Sequence, residues 1–358
     1  MEDYDQNNDI DSTEPFLNEE VIVDDIYNDS VTNYTEVGSD GGVPVKQQLI
    51  LVGSVLFLIF STTLTSKFFI NADSHNNQAT DEVTESEIIL NPINNEGRNF
   101  DDIALVGEAA YVWDVNSQRV LYKKNEDEKL AIASITKLMT ALLADEILAK
   151  KSGVQINSQA LSQIGDSGLL LDEVFARETL SDLMLISSSN DGAYALAIAA
   201  GDMIKEDAGA GAFVKAMNVR AKELNLKDTT FYNPTGLDIS KNQAGAYSTA
   251  KDMAFLMEYI VKNNPDILSL TREDSVQMYN ESGDYHLANN TNYFVNQIPG
   301  LIGSKTGYTD LAGGNLVIAY DAGLNRPVVI VVLGSTQQDR FTDVMQLHEA
   351  TSNYLINH

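Results

Sequence analysis

Residues 133–140 read Ala133-Ser134-Ile135-Thr136-Lys137-Leu138-Met139-Thr140, a serine and a lysine three positions apart at the head of an apolar run. Residues three apart on a helix share a face, so the two side chains can meet. A serine hydroxyl is a weak nucleophile until a base takes its proton, and a lysine stripped of its own proton can be that base. A helix start adds unpaired backbone N–H groups and the positive end of the helix dipole, both favourable to negative charge near the serine. Leu138, Met139, Ala141, Leu142, Leu143, Ile147 and Leu148 cover most of the circumference as far as about Lys150, which predicts a buried central helix opened by Ser134. A hydroxyl at the start of such a helix sits in a cleft. Ser-x-x-Lys alone is nevertheless common, and a capping serine followed by a surface lysine is its ordinary reading.

Two later stretches change that reading. Ser188-Ser189-Asn190 falls in a break between the helical segments Thr179–Ile186 and Asp191–Ala200, and Lys305-Thr306-Gly307-Tyr308 lies in a strand begun by Gly303. Together the three stretches supply what a serine acyltransferase needs: Ser134 to attack, Lys137 to take the proton and Ser188 to pass a proton to the leaving amine. Asn190 and the strand edge can hold a peptide backbone laid down as an extra strand. Lys305 and Thr306 offer a cation and a hydroxyl to a carboxylate, and Gly307 lets a backbone pass close by.

Outward from these stretches, Ala109–Asp114 and Arg119–Lys123 read as a hairpin. Helices are predicted over 212–226 and 250–262, the second capped by Thr249, with strands over 303–309, 315–320 and 327–333 and a closing helix over 342–356. Strands at both ends with helices between predict an α+β domain, one antiparallel sheet built from both ends plus a helical region. The expected organisation is a disordered acidic tail at 1–45, a transmembrane signal-anchor helix at 46–70, a polar linker at 71–102 and a peptidase domain at 103–358. Leu49–Leu64 carries no charge and, with its flanks, approaches the ~20 residues that cross a bilayer.

Of 52 acidic and 23 basic residues, 21 and 3 lie at or before Asp102, a local net of −18 within a total of −29. That balance argues against nucleic acid as a partner. The absence of cysteine excludes disulfides and thiol catalysis, and the four histidines (His75, His286, His348, His358) show no ligand spacing, so neither metal nor cofactor is expected.

The sequence resembles the low-molecular-mass penicillin-binding D-alanyl-D-alanine carboxypeptidases, serine peptidases of the β-lactamase/transpeptidase fold. The resemblance covers about 105–350 and includes Phe231–Leu237, Tyr247–Asp252, Asn290–Asn292, Gly303–Thr309, Ala312-Gly313 and Val332–Ser335 besides the motifs above. It implies Ser134 as the acylated nucleophile, Lys137 as base, and Ser188, Asn190, Lys305, Thr306 and Gly307 as the second and third motifs. It further implies an oxyanion hole from the backbone N–H groups of Ser134 and Tyr308. The partners it implies are peptidoglycan stem peptides ending in D-Ala-D-Ala and, as covalent inhibitors, β-lactams, with the catalytic domain extracytoplasmic. Many relatives carry a further β-rich domain and a C-terminal anchor; here the 46–70 segment is expected to anchor. Position 189 holds serine where glycine is common.

A β-lactamase shares the three motifs, but its deacylating glutamate lies four residues before an asparagine, and four before Asn225 stands Ala221. The same motifs would also serve a D,D-endopeptidase or a non-catalytic β-lactam-sensing module.

Overall fold

The computed structural model describes residues 99–358 except 166 and 207. The acidic tail, the 46–70 segment expected to be an anchor and nearly all of the expected linker lie outside the described residues. Among the described residues no helix is long and apolar enough to cross a membrane. The fold begins slightly before position 103: Phe100, in a short 3-10 turn, packs its ring 5.5 Å from Tyr122 and 5.8 Å from Tyr354.

The described residues form twelve strands: β1 Ala109–Asp114, β2 Arg119–Lys124, β3 Leu130–Ala131, β4 Gly153–Gln155, β5 Val174–Ala176, β6 Thr230–Phe231, β7 Ala246–Ser248, β8 Ser275–Tyr279, β9 Tyr285–Asn289, β10 Leu301–Thr309, β11 Gly313–Asp321 and β12 Pro327–Ser335. Among the same residues are six α-helices: α1 Lys137–Ile147, α2 Arg177–Ser187, α3 Asn190–Ile204, α4 Gly209–Glu223, α5 Ala250–Asn263 and α6 Asp339–Asn357. The principal sheet is antiparallel in the order β10-β11-β12-β1-β2, so the first hairpin of the domain pairs with its last strand. This is the α+β arrangement that strands at both ends of the sequence predict.

Alternation along the strands sorts the core into two layers. Tyr111, Trp113, Val317, Val329, Val331 and Leu333 face the helical region, while Val112, Leu316, Ile318, Ile330 and Val332 face α6 through Phe341, Val344 and Leu347. Trp113 lies against Phe255 of α5, ring centres 5.3 Å apart, and its Nε1 donates to Glu258 Oε2 at 2.6 Å. Every residue of α1 from Lys137 to Ala144 is buried, which accounts for a helix apolar all round.

Several boundaries differ from the sequence expectation. Ser134 does not open an α-helix. It lies in a 3-10 turn, Ala133–Thr136, and α1 follows, ending at Ile147 rather than near Lys150. Helix α3 runs through Gly201 to Ile204; the backbone of Gly209 packs so close that a Cβ at 201 would lie 1.8 Å from its carbonyl oxygen, so this glycine serves packing and does not end the helix. The β8–β9 hairpin has no counterpart in the expected elements.

Candidate active site

The 3-10 turn carrying Ser134 is pinned between two backbone features. On one side lies β10, the outermost strand of the sheet, whose Gly307 would place a Cβ 2.8 Å from Ile132 O and 3.2 Å from Ser134 N. Any side chain at 307 would push the strand off the serine. On the other side is the 233–237 turn. Asn233 Oδ1 accepts from Thr235 Oγ1 at 3.0 Å and from Gly236 N at 2.7 Å. Gly236 adopts φ +79° with Ala133 O where its Cβ would be, so both its conformation and the space require glycine.

Lys137 is fully buried at the cleft floor. Its Nζ lies 2.8 Å from each of Ser134 Oγ, Asn190 Oδ1 and Thr235 O. Burial, and then the charge of Lys305, hold its pKa well below the ordinary lysine value. A neutral amine has two hydrogens and one lone pair. The amide and carbonyl oxygens accept the two hydrogens, which leaves the lone pair for the Ser134 proton.

Lys305, also buried, donates to Ser188 Oγ and Thr306 O, both at 2.9 Å. Burial, and then the guanidinium of Arg340, lower its pKa to about 7. Ser188 ends α2 in the left-handed region at φ +60°, and Ala133, beside the nucleophile, has φ +48°. Non-glycine residues hold such conformations only where their surroundings enforce them, at a cost of about 1–3 kcal/mol each. Ser189 caps α3 by accepting from Gly192 N at 2.9 Å, the work expected of a serine at that position. Asn190, the first residue of α3, also donates through Nδ2 to Ile164 O at 2.7 Å, so its amide bridges Lys137 and the 164–168 loop.

The structure therefore brings Ser134, Lys137, Ser188, Asn190, Lys305, Thr306 and Gly307 to one cleft. Tyr308 follows at its mouth, half exposed. Three contributors escape a reading of the sequence. Thr235 acts through a backbone carbonyl, which no side chain announces. Thr291 shares a 2.6 Å hydrogen bond with Thr306 Oγ1 and belongs to the Asn290–Asn292 stretch that is part of the family resemblance. Arg340, buried in the first turn of α6, donates to Gly307 O at 2.7 Å and so braces β10 from behind.

The family model for D-alanyl-D-alanine carboxypeptidase matches residues 98–337. D-alanyl-D-alanine carboxypeptidase DacF of Bacillus subtilis is 34% identical over 260 residues, covering 70% of this chain and 64% of DacF, so the chain spans less than two thirds of that relative. D-alanyl-D-alanine endopeptidase of Escherichia coli is 34% identical over 247 residues, covering 67% of this chain and 75% of that protein. The structure of penicillin-binding protein D2 from Listeria monocytogenes, in an ampicillin-bound form, superposes with a TM-score of 0.60 at 30% identity, covering 69% of this chain and 98% of the other. On a family match that takes in every element lining the cleft up to β12, the chain belongs to the D-alanyl-D-alanine carboxypeptidase family, peptidase family S11.

Proposed function

We propose that the chain is a serine-type D-alanyl-D-alanine carboxypeptidase that removes the terminal D-alanine from peptidoglycan stem peptides. The observation carrying this reading is the environment of Lys137, which leaves one lone pair directed at Ser134 Oγ. Ser134 Oγ bonds to the carbonyl carbon of the penultimate residue while its proton passes to Lys137. The N–H groups of Ser134 and Tyr308 stabilise the oxyanion. The C–N bond then breaks and the leaving amine takes a proton through Ser188. Water attacks the resulting ester, and Ser134 recovers its hydrogen. Lys305 and Thr306 receive the terminal carboxylate, which favours a carboxypeptidase. An endopeptidase is the second reading, supported by the Escherichia coli relative.

The 46–70 segment is read as a single-pass anchor, with the catalytic domain outside the cell where its polymer lies. β-Lactams present the same acyl centre and carboxylate, and should acylate Ser134.

Incubating the protein with a D-Ala-D-Ala peptide, a crosslinked dimer and a labelled penicillin tests the reading. D-Alanine release from the first and a lasting label on wild type but not on Ser134→Ala are expected. Full peptidase activity in Ser134→Ala, or cleavage confined to the dimer, would overturn it.

A further inference from the structure

The β8–β9 hairpin lies outside the principal sheet, and its second strand ends just before Thr291, which meets Thr306 in the cleft. Its inner face and both its ends are tied to the domain. Met278 and Ala288 are buried in the core, and His286 Nε2 lies 2.8 Å from Glu173 Oε1. At the tip Glu281 N donates to Val174 O at 2.8 Å. At the base Asn290 Nδ2 donates to Thr271 O and Glu273 O, both at 2.8 Å. A ribbon fastened in this way holds its outer face ready-made, with little ordering left for a ligand to impose.

That outer face is a ladder of exposed cross-strand pairs: Ser275 with Asn289, Gln277 with Leu287 and Tyr279 with Tyr285. Tyr279, Leu287 and Tyr285 are 54, 55 and 59% exposed, an apolar patch of the kind that marks a contact surface. Tyr279 donates its hydroxyl to Gln277 Oε1 at 3.1 Å, so its ring lies along the strand, with its centre 6.1 Å from that of Tyr285. No charged side chain stands on this face, although the whole chain has a net charge of −29. The exposed carboxylates Asp274, Glu281 and Asp284 stand at its two ends instead, where they repel an anionic polymer or lipid surface. The negative face of a tyrosine ring suits the C–H side of a sugar ring, and amide and hydroxyl side chains suit its hydroxyl and N-acetyl groups. At about 3.3 Å per residue the face from Ser275 to Tyr279 is about 13 Å long, the length of a disaccharide.

Resting on the carboxypeptidase reading for the identity of the polymer, we propose that the outer face of β8–β9 is a docking site for the neutral, N-acetylated glycan backbone of peptidoglycan. The ribbon adjoins Thr306, at the carboxylate end of the bound peptide. A stem peptide joins its own glycan at the opposite, amino end, so the strand on the ribbon is a neighbour of the one being trimmed. Its grip holds the cleft against the polymer.

The test measures binding of the full chain to fluorescently labelled chitotetraose, a neutral N-acetylglucosamine tetramer with no peptide to offer the cleft, by anisotropy. Wild type should bind it, and Tyr285→Ala and Leu287→Asp should each weaken binding on the order of fivefold. Release of D-alanine from a soluble D-Ala-D-Ala peptide should be the same in all three proteins, while release from intact peptidoglycan should fall in both variants. A tetramer that wild type does not bind, or that all three bind alike, would overturn the docking site and leave the carboxypeptidase reading intact. Variants that lose soluble-peptide cleavage in step with tetramer binding would also overturn it, since the ribbon would then be shaping the cleft. If wild type releases no D-alanine from the soluble peptide, the carboxypeptidase reading fails, and the anisotropy still decides whether the ribbon binds glycan.

Discussion

Two buried lysines set the chemistry of the cleft at the level of single residues. Lys137 can accept the Ser134 proton only when neutral, so activity should fall as the pH drops through its pKa. Lys305 contributes to keeping that pKa low, after burial. Replacing Lys305 by alanine removes a like charge, raises the Lys137 pKa and moves the acidic limb of the kcat/KM profile to higher pH. A limb that stays put in Lys305→Ala would show that the two ammonium groups do not sense one another. The meeting of Ser134, Lys137, Ser188, Asn190 and Lys305 in one cleft was expected from the sequence, because Ser-x-x-Lys, Ser-x-Asn and Lys-Thr-Gly occurring together narrow what any one of them leaves open. Their supports were not. Arg340 reads as an ordinary first-turn arginine of an amphipathic helix, and only the fold turns it inward against Gly307 O.

Among the elements, the 233–237 turn packs against both the Ser134 turn and α1. Its carbonyl at Thr235 orients Lys137, and Thr140 Oγ1 ties it down by donating to Pro234 O at 2.7 Å. Gly236→Ala adds a methyl group onto Ala133 O in a backbone conformation that alanine disfavours. A loss of at least ~2 kcal/mol of stability is expected, together with slower acylation by penicillin, measured by denaturant titration and stopped-flow labelling. An unchanged denaturation midpoint would mean the turn yields without strain. Long elements such as β10 to β12 were readable because their apolar runs are continuous or alternate cleanly. The β8–β9 ribbon was not, since its outward face carries Tyr279, Tyr285 and Leu287 while Val276, Met278 and Ala288 point inward, which blurs the period of two. The turn at Ala133–Thr136 reads as α-helix in the sequence because 3-10 and α geometry place the same side chains one turn apart.

For the whole molecule, both lysines store an electrostatic cost that depends on pH. The Lys305 pKa is about 7 when folded, against an ordinary lysine value when unfolded. Below pH 7 both states hold the proton, so the cost of a buried charge is fully present. Between about 7 and 10.5 only the unfolded state keeps it, and stability rises with pH. Wild type should therefore gain on the order of a few kcal/mol between pH 6 and pH 9 relative to Lys305→Met, judged by urea midpoints at each pH. Parallel midpoints in the two proteins would show that Lys305 titrates normally. The α+β plan was legible because strands bracket the helices in the sequence. How the first hairpin would be placed was not, since pairing β1 with β12 is a contact across more than two hundred residues with no local signature.

The chain contains a single tryptophan, and it sits where α5 docks on the sheet. Intrinsic fluorescence is consequently a one-position optical probe. An emission shift on denaturation reports the parting of Trp113 from Phe255 and Glu258, and residues 1–98, which carry no indole, are dark to it.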